Sequence, residues 1–431
     1  MLTAFARAFR TPDLRKKLLF VIAILALYRL GSVVPSPGVD YKAIHECIDQ
    51  TQNSSVYTLV NLFSGGALLQ LSIFALGIMP YITASIIVQL LVVVIPRLER
   101  LKKEGQSGQA KLTQYTRYLT IALAVLQSTG IAALARGNPS NLFPTCNRAI
   151  LPDTSLFRVT TLVITMTAGT AVIMWLGELI TDRGIGNGMS LLIFTSISSR
   201  LPAQGGRILN QSPFTFAVVL LLGIVIVAAI VYVEQAQRRI PVQYAKRMIG
   251  RRMYGGTSTY LPLKVNQAGV IPVIFASSLL YLPQLLSSVW RGNQGFQSFI
   301  ARHFVRGDSL VYLVTYFTLI IFFTYFYVAI TFNPVEVSDN MKKYGGFVPG
   351  IRPGRPTAEY LDYILSRITL PGSIYLGIVS ILPIIALRFL GSGEQFPFGG
   401  TSILILVGVG LDTVKQIESQ LMLRNYEGFL R

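Results

Sequence analysis

The chain has 431 residues, 52% of them hydrophobic and only 13% charged, with a net charge of +19. A soluble protein carries about twice that charged fraction, so a freely soluble globule is excluded and a membrane protein is indicated. Two histidines, His45 and His303, leave little for metal or proton-shuttle chemistry.

Apolar runs of about 20 residues cross a bilayer as helices, because the backbone inside lipid must bond to itself. In chain order such runs predict ten spans: 18–34, 74–95, 117–135, 158–180, 187–201, 214–233, 269–289, 310–331, 369–389 and 400–417. The first has no small-residue cleavage site and reads as a retained span, not a signal peptide. Arg29 is the one charge well inside a span, and it reads as snorkelling to the outer interface. The next apolar stretch, 57–72, is too short to cross and is broken by Ser64-Gly65-Gly66. It reads as a half-helix dipping in from outside. The fifth span is short, but dropping it would invert everything after it and spoil the charge asymmetry. Most of the 38 Lys and Arg fall at the two ends and in the loops after spans two, four, six and eight. That bias places both termini inside.

One segment recurs. Gly77-Ile78-Met79-Pro80-Tyr81-Ile82-Thr83-Ala84-Ser85 in span two returns as Gly269-Val270-Ile271-Pro272-Val273-Ile274-Phe275-Ala276-Ser277 in span seven. Five spans separate the copies, so they thread the bilayer in opposite directions. An inverted repeat with Gly/Pro-softened helices points to a membrane pathway between two halves, although GxxP is short and coincidence is the competing reading. The halves are residues 1–205 and 206–431. The expected fold is an all-α polytopic membrane protein, ten transmembrane helices in two inverted, pseudo-symmetric five-helix halves.

Catalytic chemistry finds no purchase here. A zinc site or an intramembrane Ser-His protease needs histidine at membrane depth, and both histidines fall in outer loops. Gly184-Ile185-Gly186-Asn187-Gly188 follows no strand, so it reads as the turn that starts span five and not as a phosphate loop. Glu178, Asp182 and Asp412 sit at the inner ends of spans, so the buried coupling carboxylate of an ion-driven carrier is not visible. No catalytic, cofactor or metal residue is expected. Cys47 and Cys146 both fall in outer loops, and either a disulfide or two free thiols would fit.

Two inner loops, 234–267 and 333–367, are long and basic. Their tips at Arg251, Arg252 and Arg352 lie beyond what topology requires, with Arg247 and Arg355 nearby. Arg forks suit carboxylate and phosphate, so docking to an acidic or phosphate-rich partner is one reading. Positive-inside bias plus attraction to anionic lipid is the other.

Further blocks carry a resemblance: Arg29-Leu30-Gly31 with Pro35-Ser36-Pro37-Gly38, and Asn61-Leu62-Phe63-Ser64-Gly65-Gly66-Ala67 leading into Gly77-Ile78-Met79-Pro80. Lys102-Lys103-Glu104-Gly105, Gln114-Tyr115-Thr116-Arg117-Tyr118 and the Gly184–Gly188 run follow. The second half adds Tyr244-Ala245-Lys246-Arg247, Leu261-Pro262-Leu263-Lys264-Val265-Asn266, Phe347-Val348-Pro349-Gly350-Ile351-Arg352-Pro353-Gly354 and Phe398-Gly399-Gly400-Thr401-Ser402. In this order, along nearly the whole chain, they resemble the SecY family, the central subunits of the bacterial Sec protein-conducting channel. Details resemble actinobacterial members.

The resemblance implies a passive, hourglass pore in the bacterial plasma membrane. Its apolar ring would be Ile78, Ile82, Ile193, Ile274 and Ile405; ordinary helix packing is the alternative for any one of them. The half-helix 57–72, with Asn61, Phe63, Ser64, Gly65, Gly66 and Leu68, would be the plug of the outer funnel. Spans two and seven would form a lateral gate, with Pro80 and Pro272 weakening their helices. Thr83, Gln127 and Asn266 would be gate residues; polar contacts of Gln127 and Asn266 could hold the gate shut or simply glue helices together. The implied partners are SecE, SecG, the motor ATPase SecA, the ribosome, a translocating polypeptide with its signal sequence, and anionic lipids. The tail after Tyr426 is short for the family. An ion-coupled secondary transporter with an inverted repeat is the competing function.

Overall fold

A computed structural model of the chain describes residues 9–50, 64–136, 151–152, 154–244, 247–249, 252–254, 258–289, 295, 299–300, 303, 309–390 and 400–427. In the first half, α1 is Pro12–Val33, α2 Tyr41–Gln50, α3 Met79–Val94, α4 Pro96–Lys103, α5 Gln106–Arg136, α6 Leu156–Arg183 and α7 Gly188–Ser198. After α8 (Leu201–Gln211), the second half holds α9 Pro213–Gln235, α10 Ile271–Val289, α11 Leu310–Thr331, α12 Pro334–Lys343, α13 Arg355–Leu390 and α14 Gly400–Glu427. Five short strands interrupt it: β1 Gln237–Tyr244, β2 Arg247–Ile249, β3 Arg252–Tyr254, β4 Ser258–Lys264 and β5 Gly346–Phe347. The chain is therefore mostly helical but not all-α, because both basic loops fold into strands.

Each of the ten apolar segments contains a helix. Among the described residues, four stretches are long and apolar enough to cross a membrane unaided: Leu156–Arg183, Phe216–Gln235, Leu310–Lys343 and Arg355–Leu382. A fifth is the pair α3 and α4, bent by 101° where Pro96 follows an extended Ile95. Helix α7, with 11 residues, rises only about 16 Å. Helix α9 turns Leu221, Ile224 and Val225 outward, as a lipid-facing helix does.

Local chemistry sets the boundaries. Helix α6 opens with Ser155 accepting from the Arg158 N–H and stops at Gly184. The turn expected to start span five does so: Asn187 Oδ1 accepts from the Met189 and Ser190 N–H groups, and α7 begins at Gly188. A Cβ on Gly188 would stand 1.9 Å from the Gly177 carbonyl oxygen, so glycine is what lets α6 and α7 touch. Gly188→Ala is expected to cost about 2–3 kcal/mol through overpacking, read as a lowered melting temperature in detergent.

Helix α6 packs against α1, α5 and α7; α10 and α13 pack against α11. The halves meet along two seams, α3 and α5 against α10 on one side and α7 against α14 on the other.

The two basic loops are folded. β1 pairs antiparallel with β4, from Gln237↔Lys264 to Gln243↔Ser258, and with β5 through Gln243↔Phe347. One face of this sheet buries Ile240 and Leu263 with Val348, Leu361 and Ile364, so it stands on the first turns of α13. β2 and β3 pair beyond it, placing Arg247 opposite Tyr254 and Arg252 opposite Ile249.

Candidate functional site

The two copies of the repeat share a backbone path. Gly77 and Gly269 have φ of 56° and 61°, the left-handed region that favours glycine. Two residues later a helix begins in each copy, at Met79 and at Ile271. The Ile82 N–H donates to the Ile78 carbonyl at 3.1 Å, and the Ile274 N–H donates to Val270, its equivalent, at 3.3 Å. This corrects the expected effect of the two prolines. Pro80 and Pro272 both stand in a first helical turn, where no intrahelical N–H bond exists to lose, so they start helices and do not weaken them. The proline inside a helix is Pro283 in α10. It removes a helical hydrogen bond within α10, and it was readable as a proline inside an apolar run.

The repeat delivers its isoleucines to one place. Ile78 (1% exposed), Ile193 (4%), Ile274 (7%) and Ile405 (0%) share a single buried cluster, and half-buried Ile82 packs against it. They come from the turn before α3, from α3, α7, α10 and α14, so both halves contribute. Tyr28, Phe74, Met79, Leu192 and Val409 extend the cluster. The five isoleucine side chains carry no hydrogen-bonding group, and the Tyr28 hydroxyl at the edge of the cluster is engaged by Ser196.

Below α3 the chain departs from expectation. The described part of the half-helix, 64–72, is a string of turns, and so are 73–78, which shortens the second helix at its start. Gly65 and Gly66 have φ of 64° and 96°, and even Leu71 is at 43°, values that no right-handed helix tolerates. Asn61 and Phe63 lie outside the described residues. Ser64 and Leu68 are buried, and the Leu68 N–H donates to Ser64 Oγ at 3.2 Å. The segment is tied to the loop after α1 by the Ser36 N–H to Leu71 carbonyl and Ile73 N–H to Val34 carbonyl bonds, both 3.0 Å.

Arg29 does not simply snorkel. It donates to the Gly65 carbonyl at 2.9 Å and to Ser32 Oγ at 3.3 Å. The preceding Tyr28 meets Ser196 of α7 at 2.6 Å.

On the seam between the halves, Ile86 of α3 packs with Val273, Phe275, Ala276 and Leu280 of α10. Thr83 is occupied within its own helix, donating to the Met79 carbonyl. Asn266 Nδ2 donates to Glu234 Oε1 at 2.6 Å and to the Gly269 carbonyl at 3.1 Å. Its amide is thus held within its own half, and no hydrogen bond joins it to Gln127 among the described residues. Glu234 was the missed residue, at the opposite end of the loop from its partner. A cleft of about 360 Å³ opens between α3, α4 and α5 on one side and α11 on the other, lined by Tyr81, Ser85, Gln89, Lys102, Thr113 and Tyr327 among others. Lys102 Nζ reaches the Ile330 carbonyl at 3.4 Å across it.

Two of the three span-end acids, Glu178 and Asp412, have structural partners. Arg117 holds Glu178 bidentately, with both bonds at 2.8 Å, and Lys264 approaches Asp412 at 3.5 Å. Of the basic residues, Arg352 is exposed on a turn whose carbonyl accepts from Thr357 Oγ1 at 2.9 Å. Arg355 is paired with Glu359 at 3.0 Å on an exposed helix face. Arg251 lies outside the described residues, as does Cys146.

A membrane helical bundle whose two parts close on a dry isoleucine cluster is the fold of a protein-conducting channel. A solved structure of such a channel, 17% identical, superposes with a TM-score of 0.64 over 94% of this chain and 91% of that one. Sec61 from a canine ribosome–channel complex of the endoplasmic reticulum, 18% identical, gives 0.62 over the same shares. The SecY family model matches residues 72–414. The chain is 65% identical to the protein translocase subunit SecY of Streptomyces galbus and 60% identical to that of Mycobacterium bovis, each over 100% of both chains. It belongs to the SecY family.

Proposed function

We propose that this chain is the passive pore of a bacterial Sec translocon. It moves unfolded secretory chains out across the plasma membrane and releases apolar helices sideways into lipid. The observation that carries this reading is the meeting of the five isoleucines from both halves in one buried cluster. A narrow apolar constriction excludes ions by dewetting and offers no polar grip on passing sequences. In this reading the ten helical segments are ten spans with both termini cytoplasmic, grouped as halves 1–205 and 206–431 about an in-plane pseudo-dyad. The matched backbones at Gly77 and Gly269 support that symmetry.

The turn-built segment 64–72 serves as plug, and the α3–α10 seam as lateral gate. The helical hydrogen bond missing at Pro283 and the cleft beside Lys102 favour a seam that can part. The channel performs no chemistry. A docked partner and an inserted signal segment shift its population toward the open state. Arg247, Arg251, Arg252 and Arg352 offer forks for SecA or for ribosomal RNA, with anionic lipid nearby, while SecE and SecG brace the halves. The Sec61 neighbour is itself ribosome-bound.

Reconstitution tests the reading. Vesicles holding the complex should take up a presecretory protein only with SecA and ATP. Substrate-coupled ion flux without protein uptake would favour the carrier instead.

A further inference from the structure

Residues 64–78 reach the apolar waist without a regular helix; the two main-chain bonds to the loop after α1 hold them at Leu71 and Ile73, six and eight residues beyond the first glycine. Packing supplies part of the hold, since Ala67, Leu68, Leu71 and Phe74 are buried. Packing is non-directional, and by itself it would let the segment slide. One directional bond crosses from the wall to the first glycine: Arg29 Nη1 donates to the Gly65 carbonyl at 2.9 Å, 36 residues away in sequence. A bond with an ionised donor is about twice as strong as a neutral one.

The surroundings aim that bond. Arg29 also reaches Ser32 Oγ at 3.3 Å, and Ser32 Oγ donates back to the Arg29 carbonyl at 2.7 Å. Ser196 Oγ donates to the Leu192 carbonyl at 2.9 Å, so Tyr28 is the donor in the 2.6 Å Tyr28–Ser196 bond. That bond ties α1 to α7. Gly65 sits in the angle between them: a Cβ there would stand 3.2 Å from Ser196 Cα. No side chain at position 65 could therefore be accommodated easily, and the segment's hold at this point falls to its main chain.

We infer that Arg29 is a latch, a positioning residue whose hydrogen bond to the Gly65 main-chain carbonyl keeps the plug segment seated in the closed channel. The inference rests on reading 64–72 as the plug. Its acceptor is a backbone carbonyl, which every translocating chain also carries. An entering extended chain competes for Arg29 with the same chemical group, and so loosens the segment without being read by sequence.

The test is closed-state ion conductance of the full-length chain with its membrane partners in planar bilayers. Arg29→Gln should raise conductance about tenfold, the size expected from losing a hydrogen bond to a charged group. Arg29→Lys, which keeps a charged donor, should stay within about threefold of the unaltered channel. In a chain lacking residues 64–70, conductance should already be high, and Arg29→Gln should add nothing. An equal rise with and without 64–70 would mean that Arg29 acts on the wall and would overturn the latch. No rise in Arg29→Gln while the deletion leaks would also overturn it and leave the plug reading standing. A deletion that does not leak removes the plug reading, and the latch with it. If Arg29→Gln fails to assemble, Arg29→Lys carries the comparison: a two- to threefold rise only when 64–70 is present supports the latch, and no rise, or an equal rise with and without 64–70, refutes it.

Discussion

Ile274→Asn is expected to raise ion leak through the closed channel about tenfold and to admit precursors with defective signals. Ile274 is buried with Ile78, Ile193 and Ile405, whose side chains offer nothing to receive an amide. An unpaired buried amide costs about 1–3 kcal/mol in proteins. The structure relieves that cost by admitting water, and each 1.4 kcal/mol toward the wetted state is about tenfold in its population. Bilayer conductance and export of a precursor with a charged residue in its apolar core both read the effect. Ile274→Leu, which keeps the waist dry, should change neither by more than about twofold. Asparagine at 274 with unchanged leak and unchanged signal selectivity would make the cluster ordinary packing core.

Arg352→Glu is expected to cut partner-driven export about 10- to 100-fold while channel levels in the membrane stay normal. The fold does not depend on this side chain: it is exposed, and its turn is held by Thr357 Oγ1 on the Arg352 carbonyl. Gly350 and Gly354, with φ of 82° and 106°, shape the same turn. A hydrogen bond to a charged group is worth about 1.5–3 kcal/mol, and reversing the charge adds repulsion to its loss. Arg355→Ala supplies the contrast. Its guanidinium is already engaged by Glu359 at 3.0 Å, so its loss should change SecA-stimulated uptake by less than about threefold. Normal uptake by the Arg352→Glu channel would refute the docking role.

What could be read from the sequence followed chemistry that is local. The apolar runs show where helices must lie, because lipid leaves the backbone no other partner. The repeat was visible because glycine is needed where φ is positive, and both Gly77 and Gly269 meet that need. Three of the five isoleucines, Ile78, Ile82 and Ile274, lie within those copies, while Ile193 and Ile405 came only from the family resemblance. The misses have two causes. Helix ends depend on one or two residues, so Pro80 and Pro272 looked like interior breakers when they are starters, and Pro283 passed unremarked. The half-helix at 57–72 rested on hydrophobicity alone, and the backbone angles at Gly65, Gly66 and Leu71 override it in the described part.

Contacts distant in sequence were the second cause. Arg29 to Gly65 closes 36 residues and Glu234 to Asn266 closes 32. No periodicity announces such pairs. The strands of the basic loops were more accessible: Ile240 and Val242 alternate with exposed neighbours along β1, a period of two that charge counting obscured.

The most direct measurement is crosslinking from a translocating polypeptide arrested midway. Single cysteines at positions 78, 193, 274 and 405 report the waist, and one at 224, where Ile224 is 62% exposed on α9, reports the lipid face. The expected result is crosslinking of the arrested chain to all four waist positions and none to 224. An arrested chain that reaches 224 but leaves the four waist positions untouched would contradict a path between the two halves.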